Sequence, residues 1–216
     1  VSSLPRLVDK AESDVLREGY LRLIAHLSLD DEISAYLFTV LDMFPAWLSF
    51  EDEDALTHCC MIISNVARSD AICGAMISTG IPEKMIDILK ADKSEKFLRV
   101  KDMAGGVLRN LSLLPAHKQM LLDLGIMQPV VNLLECKNDI VCYRMVTLLK
   151  SMLMLGEAAV EVFLVAQGLN PLLALVETAE DKRKVDHVFF EASRAVATLI
   201  DTNGTSKLPS PHSHNR

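Results

Sequence analysis

The chain has 216 residues and a formal net charge of −7; half of its residues are hydrophobic and only 5% are aromatic. It contains no uncharged apolar run of the ~18 residues that a membrane span requires, and its acidic balance opposes nucleic-acid binding, so neither direct membrane insertion nor nucleic acid is expected. Five cysteines, none in a C-x-x-C pair, argue against a disulfide framework and fit small buried thiols in a reducing, cytosolic compartment.

The first predicted helix runs roughly from Ala11 to Leu27. Thereafter two short helices and a longer one recur four times, and a proline marks the second helix of each set: Pro45, Pro82, Pro129 and Pro171. Proline suits the first turn of a helix, where its missing N–H would have no partner. Gly80, Gly125 and Gly168, spaced 45 and 43 residues apart, fit the sharp turn into that helix, with Asn170 as an N-cap before Pro171. Asn65 and Asn110 each close an apolar third helix fifteen residues before such a glycine, in SNVARSDAICGAMISTG and RNLSLLPAHKQMLLDLG. A period of ~40–47 residues with two or three helices per unit indicates a HEAT or armadillo array.

The second helices repeat their apolar placement, with Met85, Ile88 and Leu89 matching Val130, Leu133 and Leu134. In the third helix of the middle set, Phe97, Val100, Ala104, Val107, Leu108 and Leu111 form one buried stripe. Ile140 to Leu155 is apolar nearly all round and is expected to be covered on both sides. We therefore expect an all-α, right-handed superhelical solenoid of the HEAT or armadillo kind: residues 1–28 the trailing helix of a truncated repeat, 29–200 about four repeats, and 201–216 a disordered polar tail. A truncated repeat is expected to show apolar surface where its neighbour would sit.

The third-helix asparagines, the glycine before a proline-containing helix and the L-x-x-L-L runs resemble armadillo repeats. The segments WLSFEDEDALTHCCMIISNVARSDAICGAMISTGIPEKMIDIL and VLRNLSLLPAHKQMLLDLGIMQPVVNLL, above all NVARSDA and the later LRNL, are similar to the C-terminal repeats of the small-GTPase GDP dissociation stimulator (smg-GDS) family. That resemblance extends from about Phe44 to Ile200. It implies a regulator without covalent chemistry or cofactor, which binds Ras- and Rho-type GTPases with basic C-terminal tails, promotes GDP release and chaperones the prenylated forms. It also implies a cytosolic protein, with association to endoplasmic reticulum or mitochondria made through partners.

Third helices line the groove of an armadillo fold, and helical spacing names the stripe. It comprises Asp54, His58, Met61 and Asn65 on one helix and Arg99, Asp102, Gly106 and Asn110 on the next; His187, Glu191, Arg194 and Thr198 lie on the last. The resemblance places the two asparagines in GTPase contact; equally, their amides can bond neighbouring backbone and hold repeats together. Gly105-Gly106 inside a helix should cost ~1 kcal/mol each relative to alanine, which either close helix packing or close partner approach would justify.

From Arg22 to Arg68 there is no intervening Lys or Arg, while Asp30, Asp31, Glu32, Asp42 and the run Glu51, Asp52, Glu53, Asp54 fall there. Such a stretch attracts a basic partner, chiefly through association rate, or simply keeps the protein soluble. No P-loop, GxSxG or HExxH motif is present, and His58 and Cys59, being adjacent, point to different helix faces. His212 and His214 stand alone in the polar tail. The alternative function is a peptide-binding adaptor without exchange activity. Receptors for basic import signals pair a Trp with an Asn four residues later, but here Met61 and Gly106 precede the asparagines and Trp47 lies in a second helix.

Overall fold

The structure is a computed structural model that describes residues 3–91, 95, 97–177 and 187–205. Every regular element among these residues is helical. Two leading helices, α1 (Leu4–Asp9) and α2 (Asp14–Leu27), precede four sets of three. The first set is α3 (Asp31–Phe38), a 3-10 turn at Leu41–Met43 running into α4 (Phe44–Trp47), and α5 (Glu53–Val66). The next is α6 (Asp70–Ile77), α7 (Ile81–Lys90) and α8 (Phe97–Leu111). Then follow α9 (Pro115–Asp123), α10 (Met127–Leu134) and α11 (Asp139–Leu153). The last set is α12 (Glu157–Val165), α13 (Leu169–Glu177) and α14 (His187–Thr205).

Local chemistry explains the starts. Asp30 Oδ1 accepts the N–H groups of Glu32 and Ile33, Asp52 Oδ1 accepts that of Ala55 at 2.7 Å, and Asn138 Oδ1 those of Ile140 and Val141. Each cap satisfies donors that a helix leaves open in its first turn. Ser13 caps α2 through Leu16 N–H, so the opening segment is two helices and not the single helix expected from Ala11. Gly80 and Gly125 adopt left-handed φ of 79° and 78°, as their turns require. At the third turn that role falls to Gln167, φ 60°. Gly168 is small for another reason: a Cβ there would stand 2.1 Å from the Phe163 ring. Asn170 is not an N-cap, because α13 already begins at Leu169. The last helix continues to Thr205, past the expected boundary at Asp201; the rest of the polar tail, with His212 and His214, lies outside the described residues.

The third helices α2, α5, α8, α11 and α14 stack side by side in chain order, backed by the second helices. The expected apolar positions fill the layer between them: Phe97, Val100, Ala104, Val107, Leu108 and Leu111 of α8 are all buried, as are Met85, Ile88, Leu89, Val130, Leu133 and Leu134 behind. Each fully buried aliphatic side chain contributes ~1.5–3 kcal/mol, which outweighs the modest propensity of helices this short. Trp47 closes the early core, its Nε1 donating to Asp9 Oδ1 at 3.0 Å. Cys59, Cys60, Cys73 and Cys142 are buried and no disulfide joins them. Burial pushes the Cys60 thiol up to about 12 and the Cys59 thiol well above its usual value, so both pack as apolar groups.

Candidate functional site

Because the third helices stand shoulder to shoulder, a polar residue on the flank of one meets the next before it meets solvent. The result is a ladder of hydrogen bonds at about the repeat spacing. Asn65 Nδ2 on α5 donates to Ser28 Oγ (2.9 Å) and the Ala25 carbonyl (3.3 Å) at the end of α2. Arg68 binds the Ser28 and Leu29 carbonyls and Asp31. Asn110 Nδ2 on α8 makes a longer bond, 3.5 Å, to Ser64 Oγ. Between α8 and α11, Arg144 Nε donates to Asp102 Oδ1 at 2.8 Å, and Ser151 Oγ donates to the Ser112 carbonyl at 3.1 Å. Between α11 and α14, Lys150 Nζ binds Glu191, which also takes Arg194 at 3.2 Å. Burial pushes the Glu191 carboxyl up, but the Lys150 hydrogen bond and the charges of Lys150 and Arg194 outweigh it and hold it below its usual range.

The ladder divides the expected stripe. Gly106, Asn110, Glu191 and Arg194 line one groove of about 590 Å³ over α8, α11 and α14. Asp54, His58, Met61 and Asn65 run along α5 and are not among its walls; Arg99 is exposed on the first turn of α8. His187 is exposed, its ring edge-on to Tyr143 with centroids 6.3 Å apart. Asp102 is 7% exposed and Glu191 9%, so both serve as buried counterions of groove cations. His58 sits between α2 and α5 with Nδ1 3.4 Å from Glu18 Oε1, an approach that lacks hydrogen-bond alignment and leaves the buried nitrogen without a hydrogen-bond partner among the described residues. Burial lowers the His58 pKa against the pull of Glu18, with Arg99 lowering it further.

Contrary to the expectation for residues 140–155, that stretch is not covered all round: Ile140 on α11 and Met154 just past its end are 65% and 68% exposed, and Tyr143, Arg144, Thr147, Lys150, Ser151 and Met154 face the groove. The signal was present, since 143, 147, 150 and 154 repeat the i, i+4, i+7, i+11 stripe found on α5. The apolar majority on either side masked it. The two glycines also separate. A Cβ on Gly105 would meet Met145 Cε at 2.4 Å and Arg144 Cγ at 2.7 Å, whereas one on Gly106 would make ordinary contacts with the Arg144 guanidinium. Gly105 therefore answers to helix packing, and Gly106 forms groove wall.

The acidic stretch is partly structural. Asp30 and Asp52 are helix caps and Asp31 binds Arg68, while Glu32, Asp42, Glu51 and Asp54 are exposed. Among the described residues no cluster of three His, Cys, Asp or Glu side chains could hold a metal, and no single helix is long and apolar enough to cross a membrane.

No protein-family model matches the chain. It is similar to Rap1 GTPase-GDP dissociation stimulator 1-A of Xenopus laevis, 28% identical over 188 residues that cover 82% of this chain and 30% of that protein. It is also similar to GTPase-GDP dissociation stimulator vimar of Drosophila melanogaster, 24% identical over 147 residues covering 67% of this chain and 23% of that protein. The chain thus spans less than a third of the length of these curated relatives. A designed armadillo repeat protein superposes with a TM-score of 0.79 at 19% identity, over 94% of this chain and 84% of that one. A computationally designed armadillo protein for modular peptide recognition gives 0.76 at 20% identity, over 90% and 81%. The fold is an all-α armadillo solenoid, as the helix pattern and the resemblance together led us to expect, and the resemblance to GDP dissociation stimulators extends over most of the chain.

Proposed function

We propose that this chain is an armadillo module that binds small GTPases of the Ras and Rho type and promotes GDP release. The observation that carries the reading is similarity over 82% of the chain to a protein named for stimulating GDP dissociation. The architecture supports it, because stacked third helices offer an extended concave surface for a folded partner. Exchange of this kind needs no nucleophile or general base. A surface that prefers the nucleotide-free GTPase weakens GDP binding by the same factor, by linkage. The exposed carboxylates Glu51 and Asp54 would attract a basic GTPase tail, and the same contact would let the module chaperone prenylated forms in the cytosol. Asn110, Gly106 and Arg194 would form part of the contact, with no cofactor involved.

The test is release of fluorescent GDP from a panel of Ras- and Rho-type GTPases in the presence of this chain. Acceleration for members with basic tails supports the reading. Binding of the nucleotide-free and GDP-bound forms with equal affinity would refute exchange and leave the alternative, a peptide-binding adaptor.

A further inference from the structure

The groove over α8, α11 and α14 carries a charge that exchange by itself does not explain. Its walls hold five cations, Arg109, Lys118, Arg144, Lys150 and Arg194, with Glu191 among them and Asp102 behind Arg144. Among the described residues, two carboxylates against five cations leave local positive charge in a chain whose net charge is −7. The carboxylates are also unevenly shared. Glu191 serves Lys150 and Arg194, and Asp102 takes only the Nε of Arg144. Among the described residues, no carboxylate lies within ion-pair reach of Arg109 or Lys118. Lys118 is 7% exposed and, among the described residues, its ammonium has one protein acceptor, the Leu113 carbonyl at 3.3 Å. Lys118 also lines the groove, so the donors its ammonium has left over are open to an anion there.

We infer that this groove binds an acidic, extended peptide segment of a partner protein, whose carboxylates are taken by Arg109, Lys118 and the free edge of the Arg144 guanidinium. A volume of about 590 Å³ accommodates a few side chains of a bound segment. Gly106 keeps the wall beside Arg144 low, so a peptide backbone can approach it. Glu191 and Asp102 discriminate against a polyphosphate chain, and Tyr143 is the one aromatic wall residue among the described residues, too little to stack successive bases. The chain's overall negative charge also repels a long polyanion at a distance, while a short acidic segment feels mainly the groove. The inference goes beyond the exchange reading and stands whether or not GDP release is accelerated.

The test is fluorescence polarisation of this chain with a short fluorescein-labelled Glu-rich peptide, its Gln-rich counterpart and a single-stranded oligonucleotide of equal length. The Glu peptide is expected to bind at least about tenfold more tightly than the Gln peptide and to weaken as salt rises. Arg109→Glu, at an exposed position, should lose about tenfold in affinity with an unchanged melting temperature, while Lys90→Glu outside the groove should bind like wild type. Equal binding of Glu and Gln peptides, undiminished binding by folded Arg109→Glu, or tighter binding of the oligonucleotide would each overturn the inference. GDP release measured on the same variants reports on the exchange reading separately.

Discussion

Gly105 and Gly106 are neighbours on α8, yet alanine is expected to move stability in opposite directions at the two positions. At Gly105 the new methyl would stand 2.4 Å from Met145 Cε and 2.7 Å from Arg144 Cγ. Met145 ends in a flexible thioether, but it is fully buried and has little space to enter. Arg144 Cγ lies close to its own backbone, and turning it aside withdraws Nε from Asp102. Overpacking of this kind costs ~1–3 kcal/mol, against ~1 kcal/mol recovered by replacing glycine in a helix interior. The weakened Arg144–Asp102 pair adds to the loss, so the Gly105→Ala protein should be about 1 kcal/mol or more less stable. At Gly106 the nearest atoms are guanidinium atoms at 3.7 and 3.8 Å, so only the helix gain of ~0.5–1 kcal/mol remains. For a chain of this size each kcal/mol moves the melting temperature by roughly 2–4 °C, which separates the two variants by several degrees. Thermal melts followed by circular dichroism would read the separation, with hydrogen exchange of the α8 amides as a local check, because repeat arrays can open unit by unit. If Gly105→Ala melts at or above Gly106→Ala, the close approach of α8 to α11 is not a rigid feature and the packing explanation fails.

His58 has a folded pKa below its unfolded value of 6.5, so the unfolded chain takes up more protons as pH falls. Stability should therefore decline as pH drops through about 6.5, and His58→Gln should flatten that part of a Tm-against-pH curve; an identical slope in both proteins would reject the assignment. Replacing Glu51 and Asp54 with neutral residues, while keeping the capping Asp52, should slow association with a basic-tailed GTPase and reduce its salt dependence; stopped-flow association at low salt checks this. Asn65→Ala removes two bonds from the ladder and should cost ~1–3 kcal/mol, whereas Asn110→Ala, losing one bond of 3.5 Å, should change melting little and GTPase affinity more. Parallel melts and affinity measurements on nucleotide-free GTPase separate the two roles. Native thiol labelling should reach Cys136, the half-buried cysteine, well before the four buried ones, and fast modification of Cys60 would contradict its packed environment.

The solenoid was legible because burial is periodic: the α8 stripe and the equivalence of α7 with α10 follow from spacing alone, and the structure buries those positions. Turn chemistry was legible less completely. Gly80 and Gly125 take the left-handed backbone expected of them, but Gly168 is held small by a ring five residues earlier, a tertiary contact that turn propensity does not encode. Asn170 looked like a cap because it precedes proline, yet proline at the third helical position is tolerated for the same reason as at the first, since that N–H has no helical acceptor. The groove was half legible. Gly106, Asn110, Glu191 and Arg194 were found by their period, while α11 hid its polar stripe inside an apolar majority.

What the stripe could not reveal was how each polar residue is used. On stacked helices a carboxylate and a cation one repeat apart tend to find each other, as Asp102 and Arg144 do 42 residues apart and Lys150 and Glu191 do 41 apart. Those pairs belong to the scaffold, and a periodic polar line counts them together with groups that remain open to a partner. The open set is what remains after pairing. Near α3 and the start of α5 it is acidic, with Glu32, Glu51 and Asp54 exposed; on α8 and α9 it is basic, with Arg109 exposed and, among the described residues, no carboxylate paired with Lys118. Side chains that brace one repeat against the next therefore also set the sign of the charge left over. A partner presenting a basic segment to the early repeats and an acidic one to the later repeats would be aligned along the array, with its polarity chosen by those unpaired groups.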